Sequence, residues 1–277
     1  MSLTVIETDQ WLLNYVSNKT AIFQENLMVQ RDILCTPLIR SFSGADTETI
    51  QWHLIQHGLF HPDPHDQHVI QGMLSNEYWT ITTKQFAILQ NEWQGPDIPI
   101  FLFPSDFTNE QLRTDLHGIS GLSYPDKLFL FITDQTTSEQ LKALIVHEYS
   151  HVIRFHYVHH QNDILTLRDA LVLEGIAEVA VKQIVGDSAL SKATKIYDKS
   201  TADKHWKNWI KANQDLVKAN PKHDLLMYGG DQIPKWAGYN VGYHFVNAYV
   251  EKANPSLLEL LRTPTKKIIT RACSKSR

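Results

Sequence analysis

The run Leu141-Lys142-Ala143-Leu144-Ile145-Val146 and, beyond a mostly polar pentapeptide, Val152-Ile153 make an apolar segment of the kind a buried helix requires. Thr137-Ser138-Glu139-Gln140 offers a capping box at its start: a hydroxyl for the orphan N–H groups and, three residues on, an amide that reaches back. A second apolar helix is predicted from about Leu165 to a stop at Gly186, with the polar loop His159-His160-Gln161-Asn162-Asp163 before it. Trp206, Trp209, Ile210, Leu216 and Val217 recur at core-like intervals. Pro234-Lys235-Trp236-Ala237 then opens a last helix, Tyr239 to about Glu251, in which Tyr239, Tyr243, Val246 and Val250 form an i, i+4, i+7, i+11 stripe.

Residues 4 to about 95 read as mostly helical, with Phe23, Leu27, Leu34 and Leu38 as one apolar series. The stretch from Gly58 to His68 holds Pro62 and Pro64. It reads as a turn-rich loop whose histidines, His61, His65 and His68, are solvated rather than metal-binding. Ile98-Pro99-Ile100-Phe101-Leu102-Phe103 and Lys127-Leu128-Phe129-Leu130-Phe131-Ile132 read as strands, rich in branched and aromatic residues. The organisation expected is a helical N-terminal region, 1–95, followed by a region 96–277 with a helical C-terminal part, the two able to form one compact unit.

The pentapeptide inside the first helix is His147-Glu148-Tyr149-Ser150-His151. Residues four apart share a helix face, so both imidazoles point the same way and can take two positions around a tetrahedral Zn²⁺. Glu148 projects beside them, where a carboxylate can take a proton from a water on the metal. The alternative is a pair of hydrogen-bonded core histidines with a surface glutamate. Downstream, Leu173-Glu174-Gly175-Ile176-Ala177-Glu178 supplies a third ligand. Glu174 and Glu178 share a face, so only one need bind the metal, Glu174 being the first choice; the other could orient a ligand histidine. Gly175 costs a helix about 1 kcal/mol, which makes sense if another backbone comes close there.

His-Glu-x-x-His followed by Glu-Gly-x-Ala resembles the gluzincins, metallopeptidases whose third ligand is a glutamate on the next helix. The aminopeptidase N branch carries that ligand in Asn-Glu-Gly-Phe-Ala, and a later Tyr-x-x-Gly whose phenol stabilises the oxyanion. Here these are Leu173-Glu174-Gly175-Ile176-Ala177 and Tyr239-Asn240-Val241-Gly242. The chain resembles in particular the bacterial YjaZ-type family of predicted Zn-dependent proteases, filed as a domain of unknown function. Those proteins pair the two helix motifs with a late Gly-Tyr-x-x-Gly-Tyr, here Gly238 to Tyr243, and the likeness covers roughly residues 97 to 260. The resemblance implies Zn²⁺ on His147, His151 and Glu174, Glu148 as general base and Tyr239 as oxyanion donor, with Tyr243 and then His244 as alternatives. It also implies that the strand before the pentapeptide is the edge strand over the cleft. Gly118-Ile119-Ser120-Gly121 ahead of that strand either lets substrate backbone approach or is a plain hairpin loop. The Gly-Ala-Met-Glu-Asn segment that anchors a free amino terminus in aminopeptidases is missing, so exopeptidase activity does not carry over.

Composition narrows the partners. A net charge of −4 and no Lys/Arg run give no support for nucleic-acid binding. Cys35 and Cys273 form no metal-binding spacing and read as ordinary thiols. No apolar stretch approaches the length of a membrane span, and the first twenty residues lack a signal-peptide pattern, so the cytoplasm is the expected compartment. The fold expected is α+β: a zincin-like core, a small twisted sheet packed on the His-Glu-x-x-His helix, with mostly helical N- and C-terminal parts. The function expected is zinc-dependent hydrolysis of a peptide or protein substrate. A non-peptidase zinc hydrolase and a metal-binding protein without turnover are the rival classes. Three evident ligands and a carboxylate at the water position favour catalysis over a closed structural site.

Overall fold

The computed structural model describes residues 4–158, 164–230 and 232–274. Their secondary structure is α+β, mostly helical with one small mixed sheet. The chain divides into two compact units, Met1–Glu148 and Tyr149–Arg277.

In the first unit, helices α1 (Thr8–Asn18), α2 (Phe23–Gln30), α3 (Thr47–Gln56), α4 (Asp66–Leu74) and α5 (Tyr78–Trp93) precede the sheet. The chain continues from α2 as a π-turn, Arg31–Cys35, and a 3-10 turn, Thr36–Ser41, with Pro37 in the latter. The apolar series read there as a single helical stripe therefore drifts. Leu34 and Leu38 are buried, whereas Phe23 is 47% exposed. The predicted loop ends at His65, because Asp66 already opens α4; His65 and His68 are exposed.

The sheet consists of β1 (Ile100–Pro104), β2 (Ser120–Ser123) and β3 (Leu128–Ile132), with helix α6 (Glu110–Asp115) between the first two. Its order is β1-β3-β2. β1 runs parallel to β3 with Ile100 opposite Leu128, and β2 runs antiparallel with Ser123 opposite Leu128. β1 and β3 are buried at every position, as their unbroken apolar runs require. The strand before the pentapeptide is thus the centre of the sheet, which corrects its expected place at the edge. The edge on that side is β2. Gly118-Ile119-Ser120-Gly121 is correspondingly no hairpin loop: Gly118, at φ +76°, ends a turn, and Ser120 begins the strand. Phe101, Phe103, Phe129 and Phe131 join Leu12, Tyr15, Leu34, Leu54 and Phe60 in one core, so the N-terminal helices and the sheet bury each other.

Helix α7 (Ser138–Tyr157) carries the pentapeptide and passes from the first unit into the second. The capping box is present: Thr137 N–H donates to Gln140 Oε1 at 2.9 Å, and Gln140 N–H donates to Thr137 Oγ1 at 3.2 Å. The Tyr78 hydroxyl lies within hydrogen-bond distance of the carbonyls of Asp134 (3.0 Å) and Thr136 (2.8 Å), tying the turn ahead of α7 to α5.

The second unit contains α8 (Leu167–Ile184), α9 (Lys192–Lys195), α10 (Lys199–His205), α11 (Pro221–Tyr228), α12 (Ala237–Ala253), α13 (Leu257–Arg262) and α14 (Thr265–Cys273). The loop expected at 159–163 lies outside the described residues. α8 starts at a second capping box, Thr166 with Asp169. Leu171 of α8, Trp206, Ile210, Leu226, Met227 and the α12 residues Val241 and Phe245 form the core here. α12 is buried nearly all round rather than along one stripe, as suits a central helix. Arg154, near the end of α7, is fully buried. Its guanidinium donates to the carbonyls of Leu261 (3.2 Å) and Thr263 (2.5 Å) and to Thr265 Oγ1 (3.2 Å). Burial lowers its pKa to about 10, so it is charged at neutral pH.

Candidate metal centre

The i, i+4 spacing in α7 puts His147 and His151 on one face, and Glu174 comes to them from α8. One ligand atom from each of the three lies within 4.8 Å of the others, and His151 Nε2 stands 3.8 Å from Glu174 Oε1. A tetrahedral ion with bonds of about 2.0–2.2 Å holds its ligand atoms roughly 3.3–3.6 Å apart, so small side-chain adjustments would close this set on a metal. Two imidazoles and one carboxylate are also the donor types zinc takes in sites that keep a position for water. The residues present fit the ion. This is the only such His/Cys/Asp/Glu group among the described residues.

Glu148 is buried, 8% exposed, and faces β2. Successive side chains of a strand alternate, so Gly121 and Ser123 lie on one face of β2, and both meet Glu148. A Cβ built on Gly121 would overlap Cγ and Cδ of the glutamate. The Ser123 hydroxyl stands 2.5 Å from Glu148 Oε2 and 3.0 Å from the carbonyl of the same residue. The sequence reading missed Ser123. Its signal was the Gly-x-Ser alternation, which marks a strand face only once Ser120–Ser123 is known to be a strand.

Glu178 lies one turn beyond Glu174 and is 2% exposed. Its Oε1 accepts the Tyr239 hydroxyl at 2.6 Å, and its Oε2 accepts the Ser191 N–H at 3.0 Å. Burial, then the charges of Glu178 and Glu174, hold the Tyr239 phenol well above its ordinary pKa, so it stays a neutral donor. Tyr239 reaches α8 because α12 and α8 touch backbone to backbone. A Cβ on Gly175 would overlap the Gly242 carbonyl, and one on Gly242 would overlap the carbonyl of Leu171. The close approach expected at Gly175 is therefore real, and the glycine of Tyr-x-x-Gly is its other half. Tyr243 is also buried, beside Lys182; burial raises its pKa and the lysine opposes the rise. His244 Nε2 is bound to the carbonyl of Tyr197 at 3.0 Å.

Residues 78–270 match the family model described as predicted Zn-dependent protease (DUF2268). The chain is 30% identical over 236 residues to the uncharacterized protein YjaZ of Bacillus subtilis (strain 168), covering 84% of this chain and 90% of that one. It is 26% identical over 186 residues to the uncharacterized protein YjfC of the same organism, covering 63% of this chain and 60% of that one. No solved structure matches. Among the described residues no helix is long and apolar enough to cross a membrane. With a His-His-Glu group of zinc-ligand character on two adjoining helices, and a match across most of its length, the chain belongs to the family of predicted Zn-dependent proteases.

Proposed function

We propose that the protein is a zinc-dependent peptidase of gluzincin type, with a zincin-like core formed by the sheet and α7. The observation that carries this reading is the approach of His147, His151 and Glu174 within 4.8 Å, with Glu148 next to the first ligand in the same helix. These three residues would hold the zinc. Zinc bound there supplies Lewis acidity, lowering the pKa of a coordinated water toward neutrality and polarising a substrate carbonyl.

The protein's own part is proton handling and exclusion of bulk water. Glu148 accepts a proton from the attacking water and returns it to the leaving amine. Because Glu148 and His151 are only 8% and 7% exposed, their charges and dipoles act in a medium of low polarity, where they are strongest. Tyr239 enters this scheme with a cost. Turning its hydroxyl to an oxyanion gives up the bond to Glu178, about 1.5–3 kcal/mol for a charged acceptor, against roughly 2.7–4 kcal/mol for an oxyanion donor. The net gain is small, and Glu178 together with Tyr239 serves first to brace α8 against α12.

Elemental analysis of the purified protein, combined with digestion of a mixed peptide library, tests the reading. One zinc per chain and cleavage that stops on chelation and returns with zinc are the expected results. Stoichiometric zinc without cleavage of any peptide or protein would reject it.

A further inference from the structure

We propose that Ser123 is a positioning residue for the general base. Its hydroxyl, on edge strand β2, holds the Glu148 carboxylate in the orientation in which it accepts a proton, while Gly121 keeps open the space that carboxylate fills. The inference rests on the peptidase reading of Glu148.

Three observations carry it. Ser123 Oγ stands within hydrogen-bond distance of both Oε2 and the main-chain carbonyl of Glu148, at 2.5 and 3.0 Å. The hydroxyl has one proton, which goes to the nearer carboxylate oxygen or is shared with the carbonyl, so the end of the side chain is held close to its own backbone. Glutamate has several free torsions and much rotamer entropy to lose, and a hydrogen bond to a carboxylate is of the strong, charge-assisted kind. Second, the residue two positions earlier, on the same strand face, is glycine, and any larger side chain would displace Cγ and Cδ of Glu148. Oε1 then lies over Gly121 while Oε2 is held by Ser123, so the carboxylate is laid along the strand. Third, β2 is hydrogen-bonded along its length to β3, which is fully buried, so the donor stands on a fixed frame rather than on a loop. A proton acceptor misplaced by about 1 Å loses roughly 10²-fold in rate.

The test uses the zinc-loaded enzyme. Ser123→Ala should keep one zinc per chain and a KM within about threefold of the parent, while kcat falls roughly 10- to 100-fold. Ser123→Thr, which keeps the hydroxyl, should return kcat to within about threefold of the parent. Crystal structures of the metal-free parent and Ser123→Ala give a readout independent of turnover: in the variant the carboxylate should leave its place over Gly121 or occupy more than one rotamer. A carboxylate that stays put, a Ser123→Ala enzyme within threefold of the parent in kcat, or a Ser123→Thr enzyme no faster than Ser123→Ala would each overturn the proposal. Should Ser123→Ala fail to fold, Ser123→Thr against Ser123→Val makes the same comparison of hydroxyl with methyl. A parent that cleaves nothing would sink the peptidase reading alone, since the crystallographic comparison still decides whether Ser123 positions Glu148.

Discussion

The Tyr239 hydroxyl donates to Glu178 Oε1 at 2.6 Å, which makes a single buried unit of the Tyr-x-x-Gly motif and the second glutamate of α8. Removing the hydroxyl alone, in Tyr239→Phe, leaves ring packing intact and takes one donor from a buried carboxylate. Thermal unfolding should show a loss of about 1–3 kcal/mol, and kcat should fall by less than about 30-fold, because the donor's net value to an oxyanion is small. A fall of 10²–10³ at unchanged stability would instead make Tyr239 the oxyanion donor. A drop of that size in Tyr243→Phe would move the role one turn along α12.

The two glutamates of α8 should separate metal binding from stability. Glu174→Ala should retain little zinc after gel filtration and unfold near the parent's temperature when both are metal-free. Glu178→Ala should keep most of its zinc but unfold earlier, since it strands the Tyr239 hydroxyl and the Ser191 N–H, at about 1–3 kcal/mol for each buried group. The reverse order of zinc loss would make Glu178 the ligand.

Glu148→Gln keeps the size and polarity of the side chain but cannot accept the water's proton. Zinc content should stay at one per chain while hydrolysis becomes undetectable. Loss of zinc in this variant would mean that Glu148 is itself a ligand.

Alanine normally stabilises a helix interior relative to glycine by about 0.5–1 kcal/mol. Gly175→Ala and Gly242→Ala should do the opposite, because each new methyl meets the backbone of the other helix, which cannot rotate away as a side chain can. Overpacking of this kind costs about 1–3 kcal/mol, visible as a lower midpoint in urea at unchanged m.

α7 and α8 could be read from the sequence because an apolar run and an end signal agree in each: the Thr137–Gln140 box before α7 and Gly186 just after α8. β2 could not. Ser120-Gly121-Leu122-Ser123 is short and low in strand propensity, and it is a strand only because β3 offers it a buried partner. For the same reason β3 was misplaced: its sequence fixes its burial but not its neighbours. Within the site, helical spacing puts His147 beside His151, and Glu174 on the face of Glu178. Which of the two glutamates meets the imidazoles depends on how α8 is rotated against α12. One part of that placement is the Gly175–Gly242 contact, a relation between residues distant in sequence. Phe23 illustrates a local failure: the π-turn and 3-10 turn after α2 change the residues per turn, so regular helical spacing stops predicting a buried face.

The buried guanidinium of Arg154 has a consequence for the order in which the protein is made. It belongs to the same helix as His151, yet the oxygens that accept from its two terminal nitrogens stand 107 to 111 residues further along the chain. At about 5–20 residues per second, a ribosome needs roughly 5–20 s to deliver them after Arg154 itself. Throughout that interval the charge stays in water, because burying it without its acceptors is too costly. The end of α7 can therefore close only once residues 261 to 265 have been made, however early the helix itself forms.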